Sequence, residues 1–561
     1  MTQLDWVVIA LYFCLIGFVA WWYGRNQKDT KDYFLAGRSA GWVVIGASIF
    51  TSNIGSEHIV GLAGQGATTG LAMAHWEMQA WVLIMLAGLF VPFYYRSGVE
   101  TIPEFLEKRF NARTRWILSC VSLVAYVFTK VSVTVYAGAV VFQALLPDAF
   151  GSPENAFWIG AFSTVILTGV YTVFGGMRAI MNTATPQAVI ILFGSFVITA
   201  VGLGRLGGWG ELVQLASANR DSFALWRPLA DTGFPWLGVV IASVIIGIWY
   251  WCTDQYIVQR TLSAKDLTTA RRGALFGGLL KVWPVLIFMI PGMIGWALHQ
   301  KGLVVLPTKV VDGTRQINPD LVFATLVREL LPSGIRGLIV ACLLAALMSS
   351  LASLFNSSAS LFTVDVYQKL RPGQSERHLL NVGRIATATI VVLGILWIPV
   401  MQMVQGGGLY QYLQNVQGYL APSITAVFLI GLFWRRVNAA GAVWGLSVGF
   451  ALGMLKLTLQ TFFGFGPGEL SSPAVLAVIG DFNPYYSTGV LAVLSALVIV
   501  IASLLTPPPS EDQVRALTYA SIHQEAAAEI KASWDLGNKL MVAAILACVL
   551  GMYLYFTFWL G

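Results

Sequence analysis

Long apolar runs recur along this chain, among them Leu4–Trp22, Trp81–Tyr95 and Leu491–Leu505. About 20 such residues in a helix cross ~30 Å of hydrocarbon, with each backbone polar group satisfied inside the helix. Repetition of such runs makes the chain a polytopic membrane protein. Charge agrees: of 561 residues, 57% are hydrophobic and 11% charged, against about 25% charged in a soluble chain. So few charges cannot cover a water-facing surface, which excludes a soluble enzyme, a nucleic-acid binder and a disordered scaffold. The net charge of +7 has its ordinary membrane cause, Lys and Arg crowded into cytoplasmic loops. Cys14, Cys120, Cys252, Cys342 and Cys548 all lie in apolar segments and show no disulfide framework or metal spacing. The first run has no basic flank before it and no small-residue cleavage pattern after it, so no cleavable signal peptide is expected.

Fourteen spans are expected, at about 4–23, 43–66, 74–95, 116–145, 156–174, 184–204, 235–258, 273–298, 320–364, 382–403, 411–433, 439–461, 487–506 and 539–560. The 320–364 segment exceeds one span and should include a helix outside the membrane. Basic residues favour odd loops: Arg25, Lys28, Lys31 and Arg38 in the first, Arg96, Lys108, Arg109, Arg113 and Arg115 in the third, with similar sets in the seventh and ninth. Loops six and eight, with three each, run against the trend. The bias puts odd loops in the cytoplasm and both termini outside. Residues 507–537 open on Pro507-Pro508-Pro509 and read as a cytoplasmic helical linker. There is no Walker-type phosphate loop, so ATP is not the expected energy source. Gly175-Gly176 and Gly406-Gly407-Gly408 read as turns.

Two spans are unlike the rest. The second, Gly46–His58 (GASIFTSNIGSEH), is polar at mid-membrane, and the seventh, Gly247–Gln255 (GIWYWCTDQ), is interrupted by polar groups. They lie five spans apart, as do the first helices of the two halves of a five-plus-five inverted repeat. Paired interrupted segments point to a transporter's binding site.

An ionisable group in hydrocarbon costs about 3 kcal/mol or more, so those present should face protein or water. Glu77 follows the His75-Trp76 start of the third span, Lys130 interrupts the fourth, Lys281 sits within the eighth, and Gln414-Asn415 open the eleventh. With Asn53 and His58 they offer donors and acceptors suited to a neutral polyhydroxylated ligand. The Trp249-Tyr250-Trp251 cluster offers aromatic faces for its C–H side. The competing reading is helix–helix glue, since buried polar side chains also bridge spans; for any one residue the two stand about even. Trp and Tyr also form interfacial belts, a reading that suits Tyr250 and Trp251 less because they adjoin interrupted backbone. Ser349-Ser350 can back-bond to their own helix. Alternatively, with carbonyls freed by an unwound Thr51–Ile54 stretch, they make an uncharged oxygen cage for a monovalent cation such as Na⁺. No acid cluster suits Ca²⁺ and no Cys/His set suits Zn²⁺.

The stretches Thr51–Gly64 (TSNIGSEHIVGLAG), Trp249–Arg260 (WYWCTDQYIVQR), Ala346–Asp365 (ALMSSLASLFNSSASLFTVD) and Gln414–Pro422 with Phe433–Arg436 resemble the sodium/glucose cotransporters of the solute:sodium symporter family. The resemblance runs from about residue 4 to 460 and more weakly beyond. It implies an all-α membrane protein of about fourteen helices, with a five-plus-five inverted-repeat core containing two discontinuous helices. One transporter domain would comprise 4–42 as an extra helix and loop, 43–433 as the repeat core and 434–561 as additional helices. Carried over by motif, Asn53, His58, Glu77, Lys281 and Gln414 would hydrogen-bond a sugar. Tyr250 would stack on it as inner gate beside Trp251, with Lys130 near another pocket position. Na⁺ would bind the carbonyls of Thr51, Ile54 and Ala346 and the hydroxyls of Ser349 and Ser350.

Two departures matter. Ala184 stands where relatives with a further sodium site carry Asp, and Ala352 replaces a hydroxyl, which implies one Na⁺ per sugar. Gly247 occupies a pocket position where relatives often have Thr or Asn, so one sugar contact is absent. The missing extracellular cysteines of animal relatives favour a bacterial plasma membrane. The expected function is Na⁺-driven symport of a glucose- or galactose-type monosaccharide by alternating access. The alternatives are another polyol such as myo-inositol, or a sugar sensor without accumulation, for which no output domain is present. A membrane-embedded enzyme is not expected, because no acid/base pair and nucleophile share a convincing spacing.

Overall fold

The computed structural model describes residues 1–25, 29–146, 150–311, 313–403, 409–463 and 474–561. Lys28 and the Gly406–Gly408 cluster lie outside the described residues. Apart from loops and turns, the described chain is helical, with one antiparallel hairpin, Thr308–Val311 with Thr314–Ile317, and an isolated bridge between Ala40 and Ala264. Among the described residues, eleven helices are long and apolar enough to cross a membrane, by length and composition.

Burial sorts these helices into centre and rim. Of the apolar window in Ile335–Leu370, 94% lies inside the protein, against 22% in Leu536–Phe558. The latter helix turns Ile545, Val549, Met552 and Phe556 inward and exposes Leu540, Leu546, Leu550 and Leu554. Apolar residues on both faces are what a helix needs between protein and lipid.

Among the described residues the expected second, fourth and fifth spans are missing from these eleven because they are interrupted or merged. The second is split into Trp42–Asn53 and Ser56–Thr69, parted at Ile54-Gly55. The fourth runs from Ala112–Ala125 through a π-helical turn, Tyr126–Val131, into Ser132–Leu145. The fifth and sixth form one run, Pro153–Leu206, turned at Gly176 with φ 56° and ψ −165°. Only glycine adopts that conformation readily, so the turn expected there is a kink without a loop. The extra helix expected within 320–364 is Val322–Leu330, joined through Leu331–Gly334 to Ile335–Ser360. The 507–537 stretch is largely helical, with Glu511–Val514 and Tyr519–Ala532.

Interruptions recur at a distance of five spans. The break at Ile54-Gly55 has its counterpart in the π turn Trp249–Thr253, after which Asp254 starts Gln255–Leu262. The third span breaks after Glu77 and carries a π turn at Leu86–Phe90; the eighth breaks at Lys281 and carries one at Val285–Met289. The fourth and ninth each carry one, at Tyr126–Val131 and Leu361–Tyr367. Such turns release backbone groups and re-aim side chains, and they concentrate at functional sites.

Candidate functional site

The broken helices converge on a small cavity between them. Asn53, His58, Glu77, Tyr250, Trp251, Lys281 and Gln414 line it, joined by Trp76, Gln79, Ile246, Tyr410, Leu413 and Gln417. Seven of the eight expected pocket residues therefore share one space.

Lys281 Nζ donates to Glu77 Oε2 at 2.5 Å, and Tyr410 Oη donates to Glu77 Oε1 at 2.7 Å. Both charged side chains are almost fully buried, so the pair is neutral overall and each ion is matched. Asn53 Nδ2 donates to Tyr250 Oη at 3.2 Å and lies 3.4 Å from His58 Nε2. The Tyr250 ring packs edge-on against Trp251, centroids 4.9 Å apart. Among the described residues, Asn53 Oδ1 and Gln414 Oε1 are buried acceptors without a hydrogen-bond donor.

Lys130 does not line the cavity. Its ammonium pairs with Asp254 Oδ2 and lies 4.7–5.1 Å from the ring centres of Tyr126, Trp249, Tyr250 and Tyr256. A buried ammonium requires a carboxylate, and Asp254 supplies it. Asp254 also accepts from Tyr126 Oη and from the Tyr256 amide. Lys130 thus ties the fourth span to the break in the seventh, behind Tyr250.

Of the residues expected to hold Na⁺, Thr51 and Ser349 are in direct contact. Gly55 N–H turns to the Asn53 carbonyl (3.1 Å) and His58 N–H to the Gly55 carbonyl (3.0 Å). Neither amide then continues the α-helical ladder to the carbonyls of Thr51 and Ile54. Opposite the break, Ser349 Oγ donates to Thr51 Oγ1 at 3.0 Å and Ser350 Oγ to the Ser52 carbonyl at 3.0 Å. Thr51, Ile54, Ala346, Ser349 and Ser350 are all buried. The sequence reading missed two oxygens at this junction, the Ser52 carbonyl, which also accepts from Tyr256 Oη, and Ser353 Oγ, 2.8 Å from Ser52 Oγ. Ser353 lies one helical turn after Ser349, a spacing that could have flagged it.

The cavity residues missed were legible in part. Tyr410, Leu413 and Gln417 stand at i, i+3 and i+7 of one helix, on the same face as the expected Gln414 at i+4. Trp76 and Gln79 flank Glu77 at a break that nothing in the sequence marks.

Residues 33–449 match the Sodium:solute symporter family. The chain is 38% identical over 580 residues to the sodium/myo-inositol cotransporter of Canis lupus familiaris, covering 97% of this chain and 79% of that protein. It is also 38% identical to sodium/glucose cotransporter 1 of Oryctolagus cuniculus, covering 90% and 79%. Among solved structures, a substrate-bound, outward-open Na⁺-coupled sialic acid symporter aligns with a TM-score of 0.75 at 20% identity, covering 90% of this chain and 99% of that one.

Proposed function

The chain belongs to the sodium:solute symporter family, and from that premise we propose that it carries a small neutral polyol, a monosaccharide of the glucose or galactose type, with one Na⁺ per cargo by alternating access. It is a multi-pass membrane transporter, not an enzyme, and Na⁺ is its coupling ion.

The polyol reading rests on one observation, the balance of the cavity. Glu77 and Lys281 cancel each other's charge, which leaves no net charge for an ionic cargo to answer. Asn53 Oδ1 and Gln414 Oε1 await donors. A buried acceptor left bare costs about 1–3 kcal/mol, and a cargo hydroxyl would recover it. Tyr250 and Trp251 offer the faces against which sugar C–H groups pack.

A second polyol, myo-inositol, is equally compatible with the relatives: those named for it and those named for glucose are each 38% identical to this chain.

Coupling follows from where the proposed ion site lies. Na⁺ between Thr51, Ile54, Ala346, Ser349 and Ser350 would tie the end of Trp42–Asn53 to the buried Ile335–Ser360 helix. Asn53, the last residue of the first helix, bonds Tyr250. An ion that steadies this helix end steadies the cavity, and coupling requires it to prefer one state over the other.

The test is uptake of labelled glucose, galactose and myo-inositol into proteoliposomes carrying the full chain. Accumulation above the external concentration is expected with a Na⁺ gradient and not with K⁺ or choline. Equal entry with choline, or binding without accumulation, refutes symport of these polyols. Ser350→Ala is expected to raise the Na⁺ concentration for half-maximal uptake about tenfold, the scale of one lost oxygen ligand. An unchanged Na⁺ dependence would remove Ser350 from the ion site.

A further inference from the structure

Gln79 lines the cavity from the break that follows Glu77, and its amide is held at both ends. Trp251 Nε1 donates to Gln79 Oε1 at 3.2 Å, and Gln79 Nε2 donates to the Ser243 carbonyl at 2.6 Å. An indole N–H can only donate and a main-chain carbonyl can only accept, so these partners fix which end of the amide is oxygen. Each end has one place filled. One N–H and one oxygen lone pair remain.

Gly247 is what makes room for this amide. A Cβ there would stand 2.8 Å from Gln79 Oε1, 2.9 Å from its Cδ and 3.1 Å from its Nε2. Any larger residue at 247 meets the amide itself. The seventh span therefore gives up a side chain at this point, and the third span fills the place with a fixed donor–acceptor pair.

We infer that Gln79 is a specificity-determining residue of the transport site, reading an adjacent pair of cargo hydroxyls with one donor and one acceptor, and that Gly247 serves it by leaving the space empty. This rests on the polyol reading above. A fixed amide discriminates where a mobile one would adapt. A cargo lacking either hydroxyl leaves a buried polar atom bare, and a site built to bond a hydroxyl rejects such an analogue strongly. The amide also touches Trp251, so cargo identity at Gln79 is sensed beside Tyr250.

The experiment compares the parent chain with Gln79→Met, Gly247→Ala and the double variant in proteoliposomes under a Na⁺ gradient. The probes are glucose, galactose, myo-inositol and their single-deoxy analogues. Gln79→Met keeps the side chain's length and removes both polar atoms. It is expected to raise half-saturation for the preferred polyol about tenfold, the scale of one hydrogen bond to cargo, while leaving one deoxy analogue unaffected. The preference between those two substrates collapses, and half-saturation for Na⁺ does not move. Gly247→Ala displaces the amide without touching it chemically, so it should change the same preference and stands in if Gln79→Met fails to fold. In the double variant the two effects should not add, since each removes the same amide from its place.

A variant that keeps the parent's full substrate ranking, or effects that multiply in the double variant, overturns the role of Gln79 while leaving polyol symport intact. A parent chain that accumulates none of the polyols overturns both.

Discussion

Lys281→Met is expected to abolish Na⁺-driven polyol uptake and to lower the melting temperature of the purified protein. Lys281 Nζ lies 2.5 Å from Glu77 Oε2, and both side chains are at most 2% exposed. Removing one partner strands a carboxylate within the helix bundle, at a cost of about 3–5 kcal/mol. Tyr410 Oη still donates to the other carboxylate oxygen but cannot cancel a full charge. The informative variant is the neutral pair Glu77→Gln with Lys281→Met. Replacing both members of a buried pair is often close to neutral for stability, so its melting temperature should return toward that of the parent. Uptake should not return, because the cavity has lost a charged donor and a charged acceptor for hydroxyls. This contrast separates the two readings that the sequence left even. If the pair only glues the third span to the eighth, restored stability brings restored uptake, and Glu77 and Lys281 are not cargo ligands. Melting is followed by intrinsic fluorescence in detergent, uptake in proteoliposomes.

The division between what could and could not be read in advance has a physical cause. Asn53, His58, Glu77, Lys281 and Gln414 stood out because a polar group at mid-membrane is costly and therefore rare. The breaks at Ile54-Gly55 and Asp254 stood out because the residues around them are small or polar. The π turns at Leu86–Phe90 and Val285–Met289 read LAGLF and VLIFM, plain apolar sequence in which no side chain records the extra residue per turn. A sequence reports the depth of a residue in the membrane better than the direction in which it points. Lys130 shows the consequence: its depth was legible, but it sits within the π turn Tyr126–Val131 and pairs with Asp254 rather than facing the cavity. Asp254 was in plain view within Trp249–Arg260, yet its pairing with a residue 124 positions earlier left no mark in either segment. Gln79 was missed for a related reason. Its importance depends on the missing side chain at Gly247, and the sequence shows the glycine without showing what fills the space.

The ratio of Na⁺ to cargo is expected to be one, and its consequences are large enough to measure without ambiguity. Ala184 and Ala352 are both fully buried and neither carries a side-chain oxygen, whereas the hydroxyls of Ser349 and Ser350 cluster at the Thr51–Ser52 end of the broken helix. One charge moving through 100 mV releases about 2.3 kcal/mol. A tenfold Na⁺ gradient adds about 1.4 kcal/mol. One ion therefore supports roughly 500-fold accumulation of a neutral cargo, and a second ion would square that figure. The reversal potential in proteoliposomes, with the Na⁺ gradient fixed and the cargo gradient varied, reads the ratio directly; a value near two would overturn the assignment. Ser350→Ala sharpens the test, because weakening a site changes how much Na⁺ is needed and not how many ions move. Half-saturation for Na⁺ should shift in this variant while the reversal potential stays where it was. Were the reversal potential to shift as well, the altered site would be leaking ions past the cargo. Tight coupling through the junction of Thr51, Ile54, Ala346, Ser349 and Ser350 would then be the claim to give up.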